Sequence, residues 1–214
     1  MFFHPSDFKF KKWFRLIIWS ALFISFNLQA QHWVLQKEED SIRIYTAHTE
    51  TSKIKSIKAE FTLHSTREAL FEQLLRADLY HEWQFNTIES KILENINQRE
   101  VVYYCEVAAP WPISNRDLII HLKVLDNPGS NEFAIQTRAE SKRIPLKTGV
   151  VRVPHSRGDW HVKQVGPKML KVSFEFQVDP GGYVPAWLVN LTCAQAPFQT
   201  FRNLMNRLAL KQGS

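Results

Sequence analysis

Cysteine is nearly absent from this chain. Only Cys105 and Cys193 occur in 214 residues, too few for a disulfide scaffold and, with no close third ligand, no zinc site. The pair itself reads either as a disulfide, if the two Cα atoms fall within bonding distance, or as two buried thiols. Glycine is scarce as well, with 7 residues, and none sits in a Gly-x-Gly-x-x-Gly, phosphate-loop or Gly-x-Ser-x-Gly arrangement. That removes the dinucleotide, nucleotide and hydrolase-elbow signatures. His81-Glu82 is an acid/base pair by type only, because neighbouring helical side chains point about 100° apart. No apolar run approaches the roughly 20 residues of a membrane-spanning helix. Internal repeats, low-complexity tracts and Pro/Gly/Ser-rich linkers are missing too, so residues 31–214 read as one domain.

A strong excess of one charge is the last absence. The formal charge is +6, but the first thirty residues hold Lys9, Lys11, Lys12 and Arg15 against Asp7, and setting them aside lowers it to +3. Nucleic acid usually asks for a clustered, strongly basic face, so it is not expected as a partner. The N-terminus itself carries a targeting pattern. Its basic stretch precedes the apolar run 16–26, and Asn27-Leu28-Gln29-Ala30 follows, with small Ala30 as the last residue before a cut. Residues 1–30 therefore read as a signal peptide, and the protein as exported, to the periplasm. Leu28 is large for its place before the cut, which keeps an uncleaved N-terminal anchor as the alternative. With no Cys there, a lipoprotein anchor is ruled out.

Beyond residue 31 the pattern is rich in strands. Segments 33–37 and 42–49 flank polar Glu38-Glu39-Asp40-Ser41 as a hairpin. Segment 53–63 alternates, with Ile57, Ala59, Phe61 and Leu63 on one face. Ser65 or Thr66 caps a helix reaching Arg76, Glu68 standing at capping-box spacing from Ser65. A second short helix is expected at 79–83. Strands follow at 87–95, 100–107, 116–126, 132–140, 148–153, 159–164 and 169–178, and their short connections imply an antiparallel meander. The chain then closes on a long helix. Gly181-Gly182 ends the last strand, Pro185 suits a first helical turn, and Trp187, Leu188, Leu191, Ala194, Phe198, Phe201, Met205 and Leu208 follow helical spacing. Pro197 inside it predicts a kink. A sheet whose only large cover is that helix buries its apolar face there, and a sheet too long for it leaves a cavity.

One segment sharpens this reading: Ala108-Ala109-Pro110-Trp111-Pro112-Ile113-Ser114-Asn115-Arg116-Asp117-Leu118-Ile119. It joins two strands through a Pro-locked loop with a Trp at its tip, then an Arg-Asp pair. It resembles the START family, the steroidogenic-acute-regulatory-related lipid-transfer domains, in which a strand, a Pro-x-Pro loop and Arg-Asp follow in that order. Gly181-Gly182-Tyr183-Val184-Pro185-Ala186-Trp187-Leu188-Val189-Asn190 is similar to the same family's lead into its closing helix, and Gln195-Ala196-Pro197 and Leu204 continue that pattern. The resemblance covers residues 42–210. It implies an α+β, helix-grip fold: a curved antiparallel sheet wrapped around a long C-terminal helix, with a hydrophobic tunnel between them. It also implies binding of a lipid or other hydrophobic small molecule, carried or sensed without chemistry and without a cofactor. Cyclases and hydrolases occur on related folds, so an enzyme acting on an apolar substrate in the same cavity is the alternative.

The candidate ligand residues follow from that geometry: Trp83, Tyr103, Glu106, Trp111, Arg116, Trp187, Leu191, Ala194 and Phe198, at the cavity or its mouth. Each has a plainer reading. Trp83, Tyr103 and Trp187 can be core. Glu106 can face the cavity or solvent. Arg116 and Asp117 can pair with each other and pin the loop instead of meeting a headgroup. Trp111 can enter a membrane interface or pack on the helix. Arg138, Lys142, Arg143, Lys147, Arg152 and Arg157, with only Glu140 among them, form either a surface for anionic lipid and transient membrane contact or a solvated face.

Overall fold

Asp40 and Ser41 both adopt positive φ, 50° and 63°, the conformation of a two-residue turn whose twist matches its flanking strands. They join β1 (Val34–Glu39) to β2 (Ile42–Thr49). The computed structural model describes residues 32–49 and 52–210, without the side chains of Leu188, Leu191 and Thr192. The leader read over residues 1–30 lies outside the described residues. β3 (Ser52–Leu63) returns beside β2. Thr66, not Ser65, caps α1 (Arg67–Leu75), its Oγ1 accepting from the Ala69 N–H at 3.2 Å. This places Glu68 one position short of the capping-box place. A 3-10 turn, Ala77–Glu82, follows.

Seven more strands complete the sheet: β4 (Thr87–Asn97), β5 (Glu100–Val107), β6 (Arg116–Asp126), β7 (Glu132–Ala139), β8 (Val151–Arg152), β9 (His155–Gly166) and β10 (Met169–Asp179). Their order is β1-β2-β3-β10-β9-β7-β6-β5-β4, with β8 beside β6. This corrects the simple meander. The chain leaves β3 near the middle, crosses with α1 to the far edge at β4, and works back until β10 pairs with β3. β8 runs parallel to β6, and only two residues of segment 148–153 join the ladder. β9 begins four residues earlier than expected, because its inward Ser156 and Gly158 carry no apolar alternation to announce them.

The closing helix is two helices, α2 (Ala186–Thr192) and α3 (Gln195–Leu210), broken at Cys193-Ala194. The expected kink at Pro197 is thus a break just before it. Pro197 lies in the first turn of α3, where its missing N–H would have no intrahelical partner anyway.

Along α3, Phe198, Phe201, Leu204 and Leu208 repeat every three or four residues and are buried against the sheet. Phe201 alone meets Phe61, Trp160 and Phe174, with ring centroids at 4.6, 5.5 and 5.3 Å. Each such buried side chain contributes about 1.5–3 kcal/mol relative to exposure. Polar contacts set the helix sideways: Arg202 meets Asp40 at 3.0 Å, Arg207 meets Glu82 at 2.7 Å, and Asn203 donates to the Trp83 carbonyl at 2.8 Å.

On the outer face a smaller cluster, Val102, Tyr104 and Ile119, is covered by Ile144 from the β7–β8 loop. Arg152 holds that loop. It grips Asp117 with two hydrogen bonds, 2.7 and 2.9 Å, and donates to the carbonyls of Ser141, Ile144 and Pro145. Both charged side chains are nearly buried, 6% and 1% exposed. Breaking a buried pair leaves one charge uncompensated. Arg152→Leu is expected to lower unfolding stability by about 3–5 kcal/mol in urea titration. Arg157→Leu, which removes a largely exposed partner of Asp159, should change it by about 1 kcal/mol or less. Equal effects of the two substitutions would show that Arg152 does not brace the loop.

Candidate functional site

Alternation sorts side chains to two faces. On β5, Val101, Tyr103 and Cys105 join the core under α3, while Val102 and Tyr104 belong to the outer cluster. Register carries the inner face across the sheet. Cys105 lies opposite Leu118, Ile135 opposite Trp160, and Trp160 opposite Phe174. The inner face is apolar along its length but covered unevenly. Beneath α3, Phe61, Leu122, Ile135 and Leu170 are buried. Toward the β5–β6 loop, Leu118, Ala139, Phe174, Phe176 and Val178 stay partly exposed. Apolar side chains that face the helix side and are still reached by solvent mark room the core does not fill.

That end is lidded by α2. Gly181 and Gly182 have φ of 65° and 62°, and a Cβ on Gly181 would stand 2.9 Å from the Arg152 carbonyl, so glycine is required there. α2 therefore lies between a glycine joint and the Cys193-Ala194 break. Asn190 fastens it to the sheet: its Oδ1 accepts from the Lys55 N–H at 3.0 Å and its Nδ2 donates to the Lys53 carbonyl at 3.2 Å. These are ladder groups of β3 that β10 does not reach, since the two strands part beyond the Ile57–Phe176 pair. A cleft of about 350 Å³ opens at this parting, with Ile54, Ala139 and Val178 on its apolar side and Arg138, His155, Arg157 and Asp179 at its polar side, within the common size range of ligand sites. A groove of about 730 Å³ along α1 and β4 is larger, lined by Glu72, Leu75, Arg76, Asp78, Lys91 and Ile92 among others, but it runs toward the β4–β5 turn, away from the end that α2 covers.

The open end also carries exposed aromatics. Trp111 is 93% exposed, Tyr183 100% and Trp187 68%. Trp111 is joined to Pro112 by a cis peptide and does not pack on the helix.

The other residues singled out from sequence divide clearly. Trp83, Tyr103 and Phe198 are buried on the inner face, and Tyr80 stacks edge-on against both Trp83 and Tyr103 at 5.0 Å. Ala194 is half-buried at the helix break. Arg116 is at the open end on β6, opposite Val107. Leu191 falls within α2, with its side chain outside the described residues.

Glu106 neither lines the cavity nor faces solvent. It alternates to the outer face and is buried among Asn115, Lys147 and Tyr104 at 2.8, 2.6 and 3.3 Å. Burial alone would raise its carboxyl; the hydrogen bonds from Lys147 and Asn115 outweigh that and hold it below the ordinary carboxylate range. The expected Arg116–Asp117 pair does not form, because neighbours on a strand point to opposite faces and Asp117 turns to Arg152. The basic run is largely paired as well, exposed Lys142 excepted. Arg138 and Arg157 share Asp159, Arg143 meets Glu94 and Glu140, and Lys147 meets Glu89 and Glu106. Asn190 was visible in the sequence only as the end of the closing-helix motif; its role depends on the gap it bridges.

Comparison with known proteins follows the same outline. A family model described as START domain matches residues 21–212. An uncharacterized protein of Pseudomonas aeruginosa is 27% identical over 192 residues, 88% of this chain and 93% of that protein. The human phosphatidylcholine transfer protein is 27% identical over 166 residues, 76% of this chain and 77% of that one. The structure of a STAR-related lipid transfer protein from Xanthomonas axonopodis matches with a TM-score of 0.76 at 28% identity, covering 83% of this chain and 98% of that chain. Human StAR-related lipid transfer protein 5 shares the fold, with a TM-score of 0.73 at 16% identity over 94% of this chain and 95% of its own.

The thiols give a direct check of this geometry. Both are free. Burial, with the Asp117 carboxylate adding to it, pushes the Cys105 thiol up to about 12, so at pH 8 its thiolate is on the order of a thousandfold scarcer than in an ordinary cysteine. Cys193, half-buried at the helix break, is raised less far by burial. Alkylation of the folded protein at pH 8, followed by peptide mass mapping, is expected to mark Cys193 and spare Cys105. Equal labelling would show that the inner face is open to solvent along its whole length.

Proposed function

The chain belongs to the START-domain family, and we propose that it holds one lipid on the inner face and carries or presents it without chemical change. The observation that carries this reading is the unevenly covered apolar face: filled by α3 at one end, and at the other left to α2, which lies between two joints. In this reading the rings of Trp83, Tyr103 and Phe198, with Ala194, border the apolar part of the ligand, the Trp83 Nε1 end being turned toward its polar part. Trp111, Arg116 and Trp187 form the mouth together with α2, the helix that carries Leu191, and Glu106 braces the loop from behind. The relatives named phosphatidylcholine transfer protein and STAR-related lipid transfer protein support the lipid assignment. The titratable groups on the inner face support carriage over catalysis. Tyr80 and Tyr103 are raised by burial and Cys105 likewise, so at neutral pH they stay protonated and offer no base or nucleophile.

We read residues 1–30 as a leader for export to the periplasm, on the basic stretch and apolar run of their sequence. Recovery there of a chain lacking its first thirty residues is the expected intact mass, and a full-length chain in the membrane fraction would favour the anchor. Membrane contact is assigned to the aromatic rim, with little part for the paired basic run. Trp111→Ala with Trp187→Ala should weaken vesicle binding. Salt should matter less, even as the Debye length shrinks from about 10 Å at 0.1 M to about 3 Å at 1 M. Strong loss of binding in salt, with none on losing the tryptophans, would reverse that assignment.

Native mass spectrometry after incubation with vesicles tests the central reading. One lipid per chain is expected, and Ala194→Trp should cut loading by about tenfold or more, a loss of about 1.4 kcal/mol, without changing the thermal midpoint. A folded wild-type chain that never acquires lipid would end the proposal.

A further inference from the structure

Eleven arginines fall among the described residues, and ten of them meet a carboxylate. Arg116 is the exception. Its guanidinium donates to the Ser114 carbonyl of its own loop, and burial without a compensating acid lowers its pKa from the ordinary value. The adjacent acid, Asp117, is on the opposite face and engaged by Arg152. Arg116 shares its face with Leu118, Ile120 and Leu122, so its Cβ is directed to the inner side at the open end.

It does not stand there alone. Thr87, Val107, Arg116 and Val151 are direct cross-strand partners on β4, β5, β6 and β8. Thr87 and Arg116 are thus two strands apart on one row, about 10 Å at the usual strand spacing. Thr87 ends a turn whose backbone is well satisfied. Gln84 N–H donates to the Tyr80 carbonyl, Thr87 N–H to Gln84, and Phe85 N–H to the Thr200 hydroxyl. The Asn86 and Trp83 carbonyls accept from Ala108 and Asn203. Its side chains are not satisfied. Trp83 Nε1, Gln84 Oε1 and Thr87 Oγ1 are buried with no hydrogen-bond partner, and both Trp83 and Thr87 are 6% exposed. Buried polar atoms are rarely left without partners, and here three of them gather within five residues.

We propose that this row is the head-group site of the bound lipid. Arg116 takes an anionic phosphate or carboxylate oxygen over Val107, and the Trp83–Thr87 side takes hydroxyl or carbonyl groups of the same head. The inference rests on the lipid-binding reading and adds the class of head group. That class is anionic and hydroxyl- or carbonyl-bearing, because the acids around the row are already engaged: Glu82 by Arg207, Glu106 by Lys147, Asp117 by Arg152. A quaternary ammonium would find no free carboxylate there, and the rings that could cage it, Tyr80, Trp83 and Tyr103, are buried and packed edge-on against one another.

The test uses the full chain, freed of lipid, and vesicles containing equal parts of phosphatidylglycerol, phosphatidylcholine and diacylglycerol, read by native mass spectrometry. Wild type is expected to take phosphatidylglycerol in preference to both others. Arg116→Gln should reduce phosphatidylglycerol loading about tenfold or more relative to diacylglycerol, Arg116→Lys should restore part of it, and near-isosteric Thr87→Val should weaken it with the fold intact. Unchanged diacylglycerol loading serves as the folding control, and Thr87→Val decides the matter if Arg116→Gln does not fold. Wild type loading all three lipids alike, with neither variant altering the ratio, would overturn the head-group site and leave lipid binding standing. No lipid uptake at all would instead overturn the proposed function. Binding of inorganic phosphate or glycerol phosphate as tight as that of the lipid, and dependent on Arg116, would identify a free anion as the ligand and overturn the head-group assignment.

Discussion

The packing of α3 on half of one sheet face is the contact on which the rest of the molecule depends. A ten-stranded sheet presents more apolar surface than one helix can cover. The four buried residues of α3 are used up against Phe61, Trp160 and their neighbours. What remains toward the β5–β6 loop is apolar and only partly covered. In a globular protein such a surface is costly unless something else fills it. The break before Pro197 makes that arrangement possible, because it lets α2 take its own position without disturbing α3.

The outer face has the opposite character. There the charges are drawn into pairs that tie loops to strands: Arg152 with Asp117, and Lys147 with Glu106. Buried ion pairs add little net stability on their own account, but they fix loop positions, and the loops they fix border the open end of the inner face. The rigidity of the mouth is thus supplied from behind the sheet. Arg116 is left without an acid because strand alternation sends it to the other side from Asp117.

Much of this was legible in the residues. Most strand boundaries, those of β8 and the start of β9 excepted, followed from period-two alternation, and the β1–β2 turn from its polar tetrad. The apolar stripe of α3 followed from the spacing of Phe198, Phe201 and Leu208. The Pro110-Trp111-Pro112 loop and the Gly181-Gly182 joint stood out by composition. Elsewhere local pattern was misleading. The run from Arg138 to Arg157 looked unbalanced because its acids, Glu89, Glu94, Glu106, Asp117 and Asp159, come mostly from other strands. Glu106 could not be assigned a role, since alternation shows only that it faces away from Cys105, not what covers that face.

By itself the sequence determined which residues alternate, where the chain must turn, that a helix closes it and which family's loop and helix motifs it shares, because these depend on neighbours a few positions apart. Tertiary structure decided that β10 inserts beside β3, that α2 is held by Asn190 to an unpaired stretch of β3, and that Thr87 and Arg116 share one row at the mouth. Those facts depend on which distant strands become neighbours, and that is settled by packing the whole sheet around one helix.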